Sequence, residues 1–93
     1  MTLLLKDPDA ALDYAVDWGA EYASSDSLIE SEWDVSPVEE GGVAVVESEV
    51  AGLEARVKAA GGVAGRLYRL RNQVLLASGL RDSRSIMLRV ETR

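Results

Sequence analysis

Between Gly61 and Val90 the chain reads GGVAGRLYRLRNQVLLASGLRDSRSIMLRV, and few folds accept such a pattern. Tyr68, Leu70, Asn72, Val74 and Leu76 occupy alternate positions, with Arg69, Arg71 and Gln73 between them. Period two with one apolar and one wet side is the mark of a half-buried strand. Ser78 and Gly79, followed by Arg81 and Asp82, supply turn chemistry, and a second run sets Ile86, Leu88 and Val90 against Ser85 and Arg89. Met87 is the only apolar residue on that wet side. A β-hairpin with matched one-sided faces cannot hide them from water alone, so the rest of the chain must supply a second layer.

Upstream, SLIESEWDV alternates cleanly, predicting Ile29, Ser31, Trp33 and Val35 inward and Glu30, Glu32 and Asp34 outward. Ala23 to Ser27 reads as a polar turn, Ser36 and Pro37 as a stop, Glu39 to Gly42 as a further turn, and GVAVVES as a short β-branched run. Two segments read both ways. Over residues 8–18, Asp7-Pro8 is a good helix start and Ala11, Leu12, Ala15 and Val16 have helical spacing. A strand places Leu12, Tyr14, Val16 and Trp18 on one side, and burying two aromatics outweighs a cap worth ~1 kcal/mol. Over residues 46–60, Val50, Leu53, Val57 and Ala60 suit a helix stopped by Gly61 and Gly62. The alternation of Leu53, Ala55, Val57 and Ala59 with Glu54, Arg56 and Lys58 suits a strand, and Gly52 would cost a helix interior about 1 kcal/mol. Taken as strands, these segments bring the total to six or seven with frequent turns, the trace of a small all-β antiparallel sandwich; an α+β fold is the alternative. The expected core is Ile29, Trp33, Val57, Tyr68, Leu70, Val74, Ile86 and Leu88, with Trp18 and Trp33 contributing one tryptophan to each sheet.

Ninety-three residues suit a single domain spanning 1–93, with little core to spare. The chain has no cysteine and no histidine, so disulfides, thiolate chemistry and the usual neutral-pH proton carrier are all absent. The opening MTLLLK is too short for a signal peptide's apolar core or a membrane span, and the expectation is a soluble chain made in the cytoplasm. Net charge is −6, unsuited to nonspecific nucleic-acid binding. It is unevenly spread: residues 1–50 hold one lysine against thirteen acids, residues 51–93 nine basic residues against three acids. Such asymmetry means complementary surfaces within one subunit or between copies, and the sequence does not separate the two.

KDPDAALDYAVDW, SLIESEWDV and the closing GGVAGRLYRLRNQVLLASGLRDSRSIMLRV together resemble the phage fiber-tail adaptor proteins, small structural proteins of tailed bacteriophages and prophages. The resemblance rests most on Gly61-Gly62, Gly65, Tyr68, Asn72, Arg81-Asp82 and Arg84-Ser85, and on isoleucine followed by tryptophan four positions on in SLIESEWDV. The chain departs from the family in its Glu- and Ala-rich stretch from Val46 to Ala60 and in an exposed Leu80. The resemblance implies an immunoglobulin-like sandwich and a strand over Val50 to Ala60. Tyr68, two residues before Leu70, stands where such sandwiches place a tyrosine corner, with its hydroxyl tied to nearby backbone; the alternative is a half-buried ring with a wet hydroxyl.

Candidate chemistry is sparse. Asp7 and Asp9, Asp13 and Asp17, and Glu30, Glu32 and Asp34 lack the loop spacing of calcium ligands, and strand residues two apart stand ~7 Å from each other, which reads as a solvated acidic surface. Gly61, Gly62 and Gly65 lead into a strand rather than a helix, so they are turn glycines and no phosphate loop. No catalytic, cofactor or metal residue is assigned. Arg69, Arg71, Arg84 and Arg89 form a basic stripe that reads as a protein-contact face. With first-half strands on one sheet, Glu30, Glu32 and Asp34 would lie on one surface and Arg69, Arg71 and Arg89 on the opposite one, so that copies meet acidic face to basic face.

The resemblance implies a non-enzymatic virion protein, located at the tail, that joins tail parts through contacts with other phage structural proteins. It implies several symmetric copies per particle, and no nucleic-acid, membrane or small-molecule partner. A capsid decoration or cell-surface binding module on the same fold is the alternative.

Overall fold

The computed structural model describes residues 2–22 and 25–92, and its seven strands lie in two facing sheets. They are β1 (Thr2–Lys6), β2 (Ala11–Asp17), β3 (Leu28–Ser36), β4 (Ala44–Ala51), β5 (Glu54–Ala60), β6 (Leu67–Leu76) and β7 (Arg81–Val90). One sheet has the order β1-β7-β6-β3, the other β2-β5-β4. This is a small β-sandwich, antiparallel throughout except that β1 runs parallel to β7. Within MTLLLK, read above only for targeting, Thr2–Lys6 thus supplies an edge strand. The turn expected over Ala23 to Ser27 lies in part outside the described residues.

The hairpin that dominates the sequence is the centre of the larger sheet. Tyr68, Leu70, Asn72, Val74 and Leu76 of β6 and Ile86, Leu88 and Val90 of β7 are all buried. Arg81 and Asp82, assigned above to the turn, instead open β7 opposite Leu75 and Val74. Across the core, Val16, Trp18, Ala55, Val57 and Ala59 bury the inner side of the smaller sheet.

Both ambiguous segments are strand. Residues 46–60 escape a helix because Gly52 and Leu53 form a two-residue turn between Ala51 and Glu54, with Gly52 at φ 62°. Positive φ at the first central residue suits the twist of a tight hairpin, and glycine adopts it without strain. The run toward Trp18 ends in a single 3₁₀ turn, Trp18–Ala20, whose Gly19 N–H donates to the capping Asp17 carboxylate at 2.8 Å.

Two expected core residues are corrected. Register along β3 passes from Leu28 opposite Leu76 to Glu30 opposite Leu75, leaving Ile29 as the extra residue of a bulge. A bulge reverses the alternation locally, so Leu28 is buried and Ile29 is 60% exposed. Trp33 is half-buried and packs against the core's margin, whereas Trp18 is fully buried; each sheet does contribute one tryptophan.

Buried polar groups tie the layers together. Trp18 Nε1 donates to Asn72 Oδ1 at 2.9 Å, and Asn72 Nδ2 donates to Ser31 Oγ at 2.9 Å and to the Glu32 carbonyl at 3.1 Å. Lys6 is fully buried, and its ammonium donates to the carbonyls of Asp7, Ala10 and Gly61 at 3.0, 2.6 and 2.6 Å. Desolvation lowers its pKa, and Asp7 and Asp9 oppose that shift. Gly61, at φ 80°, passes so close to the Gly42 carbonyl that a Cβ there would stand 2.7 Å from it. The Tyr68 hydroxyl accepts from Val63 N–H at 3.0 Å and donates to Glu39 Oε1 at 2.5 Å, the backbone tie of a tyrosine corner.

Candidate contact face

Register across the four-stranded sheet fixes what its outer face displays. Leu5, Arg89 and Leu67 form one row, and Leu3, Met87, Arg69 and Ser36 the next. Three further rows follow: Ser85, Arg71 and Asp34; Ser83, Gln73 and Glu32; and Arg81, Leu75 and Glu30. Past the bulge at Ile29 the strands that carry these side chains alternate regularly, and the inner residues pack into or against the core, so the outer set has no freedom to turn inward.

This placement corrects the expectation that the acids and the arginines lie on opposite surfaces. Glu30, Glu32 and Asp34 share one face with Arg69, Arg71 and Arg89, and Asp34 stands directly opposite Arg71. Alternation says which side of a strand a residue takes; it does not say which strand lies beside it. Arg84 is corrected as well. It sits opposite Asn72 on the inner side of β7, with its guanidinium 4.8 Å from the Trp18 ring centroid and paired with Glu21. Beside it Tyr22 donates to Asp82 Oδ2 at 2.6 Å, a bond that raises the tyrosine's pKa and lowers the carboxylate's. Arg84 and Asp82 thus fasten the 3₁₀ segment to the sheet.

Charge is also matched inside the subunit on the smaller sheet. Central β5 carries Arg56 and Lys58 on its outer side, flanked by Asp13 of β2 and by Glu47 and Glu49 of β4. Arg56 pairs with Glu54 and, at 3.3 Å, with Glu49, while Lys58 lies 4.0 Å from Glu47. A basic centre stands beside two acidic edges in the smaller sheet and beside one, β3, in the larger, and this absorbs much of the contrast between the two halves of the sequence.

Three leucines on the larger sheet's outer face have no cover: Leu3 is 59%, Leu5 51% and Leu67 50% exposed. Arg69 and Arg89 stand among them, Arg89 with an ion pair to Glu91 at 2.8 Å. Sequence reasoning found the two arginines and missed the leucines. The signal was present in the Thr-Leu-Leu-Leu-Lys run, but five residues carry too little periodicity to mark a strand or its sides. Among the described residues no group of three or more carboxylates could hold a metal ion, and no helix is long and apolar enough to cross a membrane. The face offers area, apolar side chains and charge.

No curated protein matches the chain. The model of the family described as podophage GP4 fiber-tail adaptor protein gp77 matches residues 6–89, from the end of β1 nearly to the end of β7. That family is structural rather than enzymatic, is placed by its description at the phage tail, and as an adaptor implies interaction with other tail proteins. With the match spanning nearly all of the β-sandwich, the chain belongs to the podophage GP4 fiber-tail adaptor family.

Proposed function

We propose that this protein, made in the host cytoplasm and folded as one domain, is a non-catalytic joint in the virion tail. It holds neighbouring tail proteins together through the outer face of its four-stranded sheet. Glu30, Glu32, Asp34, Arg69, Arg71 and Arg89 are the polar contact residues of that face. The observation that carries this reading is the exposed group Leu3, Leu5 and Leu67, set around Arg69 and Arg89 on one face of the sheet. Apolar side chains give a contact its stability when water leaves, while surrounding charge sets register and partner choice. Repetition of the subunit in the particle sums weak contacts, because tethered neighbours meet at high effective concentration. Arg69→Glu combined with Arg89→Glu tests it. Both side chains are exposed and the Arg89–Glu91 pair is a surface one, worth little to stability. The expected result is unchanged melting with reduced incorporation into particles. Normal incorporation of a normally folded double variant would refute the assignment of this face.

A further inference from the structure

The two sheets present four edge strands, and three of them are guarded by like charge. On their outward sides β2 carries Asp13 and Asp17, β3 carries Glu30, Glu32 and Asp34, and β4 carries Glu47 and Glu49. Acids along an edge repel another acidic edge and so keep those three from pairing with one another. β1 carries no acid at all, its sequence being Thr-Leu-Leu-Leu-Lys with the lysine turned into the core. It is hydrogen-bonded to β7 on one side, and among the described residues no strand lies along the other. Next to it on the outer face come Met87 and Arg89, then Leu67 and Arg69. One edge of the larger sheet is therefore apolar with arginines behind it, while the opposite edge is acidic and has the exposed Ile29 at its start.

Strand direction makes these two edges compatible. β6 and β7 are antiparallel, β1 follows β7, and β3 opposes β6, so β1 and β3 point the same way. We infer that β1 of one copy docks along β3 of the next as a parallel pair, continuing the four-stranded sheet from subunit to subunit. Leu3 and Leu5 would lie beside the neighbour's Glu30 to Asp34 column, which covers one side of each, with Arg89, one strand behind β1, within reach of those carboxylates. Because the two edges differ, the contact is heterologous, and repetition under rotation closes a ring or, without closure, runs on as a filament. Pairing β1 with β1 would also bury the leucines but would bring no acidic edge to Arg89; charge complementarity favours β1 against β3.

The inference rests on the outer face as a contact face and adds a second copy along its β1 edge. The absence of cysteine from the chain makes a cross-linking test clean. Leu5→Cys and Glu32→Cys, both at exposed positions, are introduced singly and together and assembled into particles. Oxidation is expected to give multimers of this chain from the double variant, a dimer from the two single variants mixed, and nothing from either alone. Adding Leu3→Glu should abolish the dimer without changing the melting temperature. Self-cross-linking of Leu5→Cys alone would mean β1 against β1 and overturn the inference. So would a cross-link only to a different tail protein, an outcome that leaves the contact-face reading intact. No cross-link in particles also overturns it, and if Arg69→Glu with Arg89→Glu incorporates normally as well, the contact-face reading falls with it.

Discussion

Leu28 and Ile29 stand side by side, and the bulge between them inverts what each should contribute. Leu28 is 7% exposed and belongs to the core cluster, while Ile29 is 60% exposed. Truncating a buried leucine to alanine removes its transfer free energy and leaves a cavity, costing ~2–5 kcal/mol. Because Leu28 lies at the first position of β3, where the surroundings relax more readily than mid-sheet, the lower end is expected, about 2–3 kcal/mol. Ile29→Thr keeps the β-branch, and so the strand preference, while removing apolar atoms that already face water; about 0.5 kcal/mol or less is expected. For a domain of this size each kcal/mol moves the melting temperature by roughly 4–8 °C, so the two variants should separate by about 10 °C. Urea titration gives the free energies directly and melting curves give the order. Equal losses, or a larger loss from Ile29→Thr, would show that the alternation runs unbroken through β3. The register that sets Leu28 opposite Leu76 and leaves Ile29 as the extra residue would then be wrong.

Two further expectations concern the polar ties. Asn72→Leu orphans the Trp18 indole N–H and removes the donor to Ser31 and Glu32, and at about 1–3 kcal/mol for each buried group left unsatisfied it should destabilise the fold well beyond a surface change, as urea titration would show. Folding stability should also vary with pH on both sides. Asp26, held down by its bond from Ser78, and Asp82, held down by its bond from Tyr22, have lowered pKa values; their contribution is complete above the ordinary value of 3.8 and is lost as pH falls through the folded values. Tyr22, raised by its bond to Asp82, and Tyr68, raised by burial, contribute fully below 10.0 and lose that contribution as pH rises through their folded values. Urea midpoints measured across pH should therefore fall on the acid side, and on the alkaline side the tyrosine loss is opposed by Lys6, whose lowered pKa makes stability rise as pH climbs toward 10.5.

Much of the fold was legible because it is local. The period-two pattern of Tyr68 to Leu76 and Ile86 to Val90 placed the central hairpin and its buried side, and glycines marked the bends. The hairpin within residues 46–60 was less visible, since Ala-Gly-Leu-Glu lacks the Asn-Gly or Asp-Gly signature of the commonest tight turns. The bulge at Ile29 left no mark in the sequence: one added residue changes every side assignment before it and none of the composition. Arg84 was readable, because it shares the parity of Ile86, Leu88 and Val90 and so belongs inside. The sharing of one face by Glu32 and Arg71 was not, since β3 and β6 are paired across a separation of some forty residues, and alternation within a strand says nothing about its neighbour. The contact face suffered most from this, being assembled from four strands of which one was too short to recognise.

A reconstruction of the assembled tail, at a resolution that places this chain, tests the central claim most directly. The outer face of the four-stranded sheet, with Leu3, Leu5, Leu67, Arg69 and Arg89, should lie against density of neighbouring protein. A subunit docked through the smaller sheet, with that outer face turned to solvent, would contradict the account.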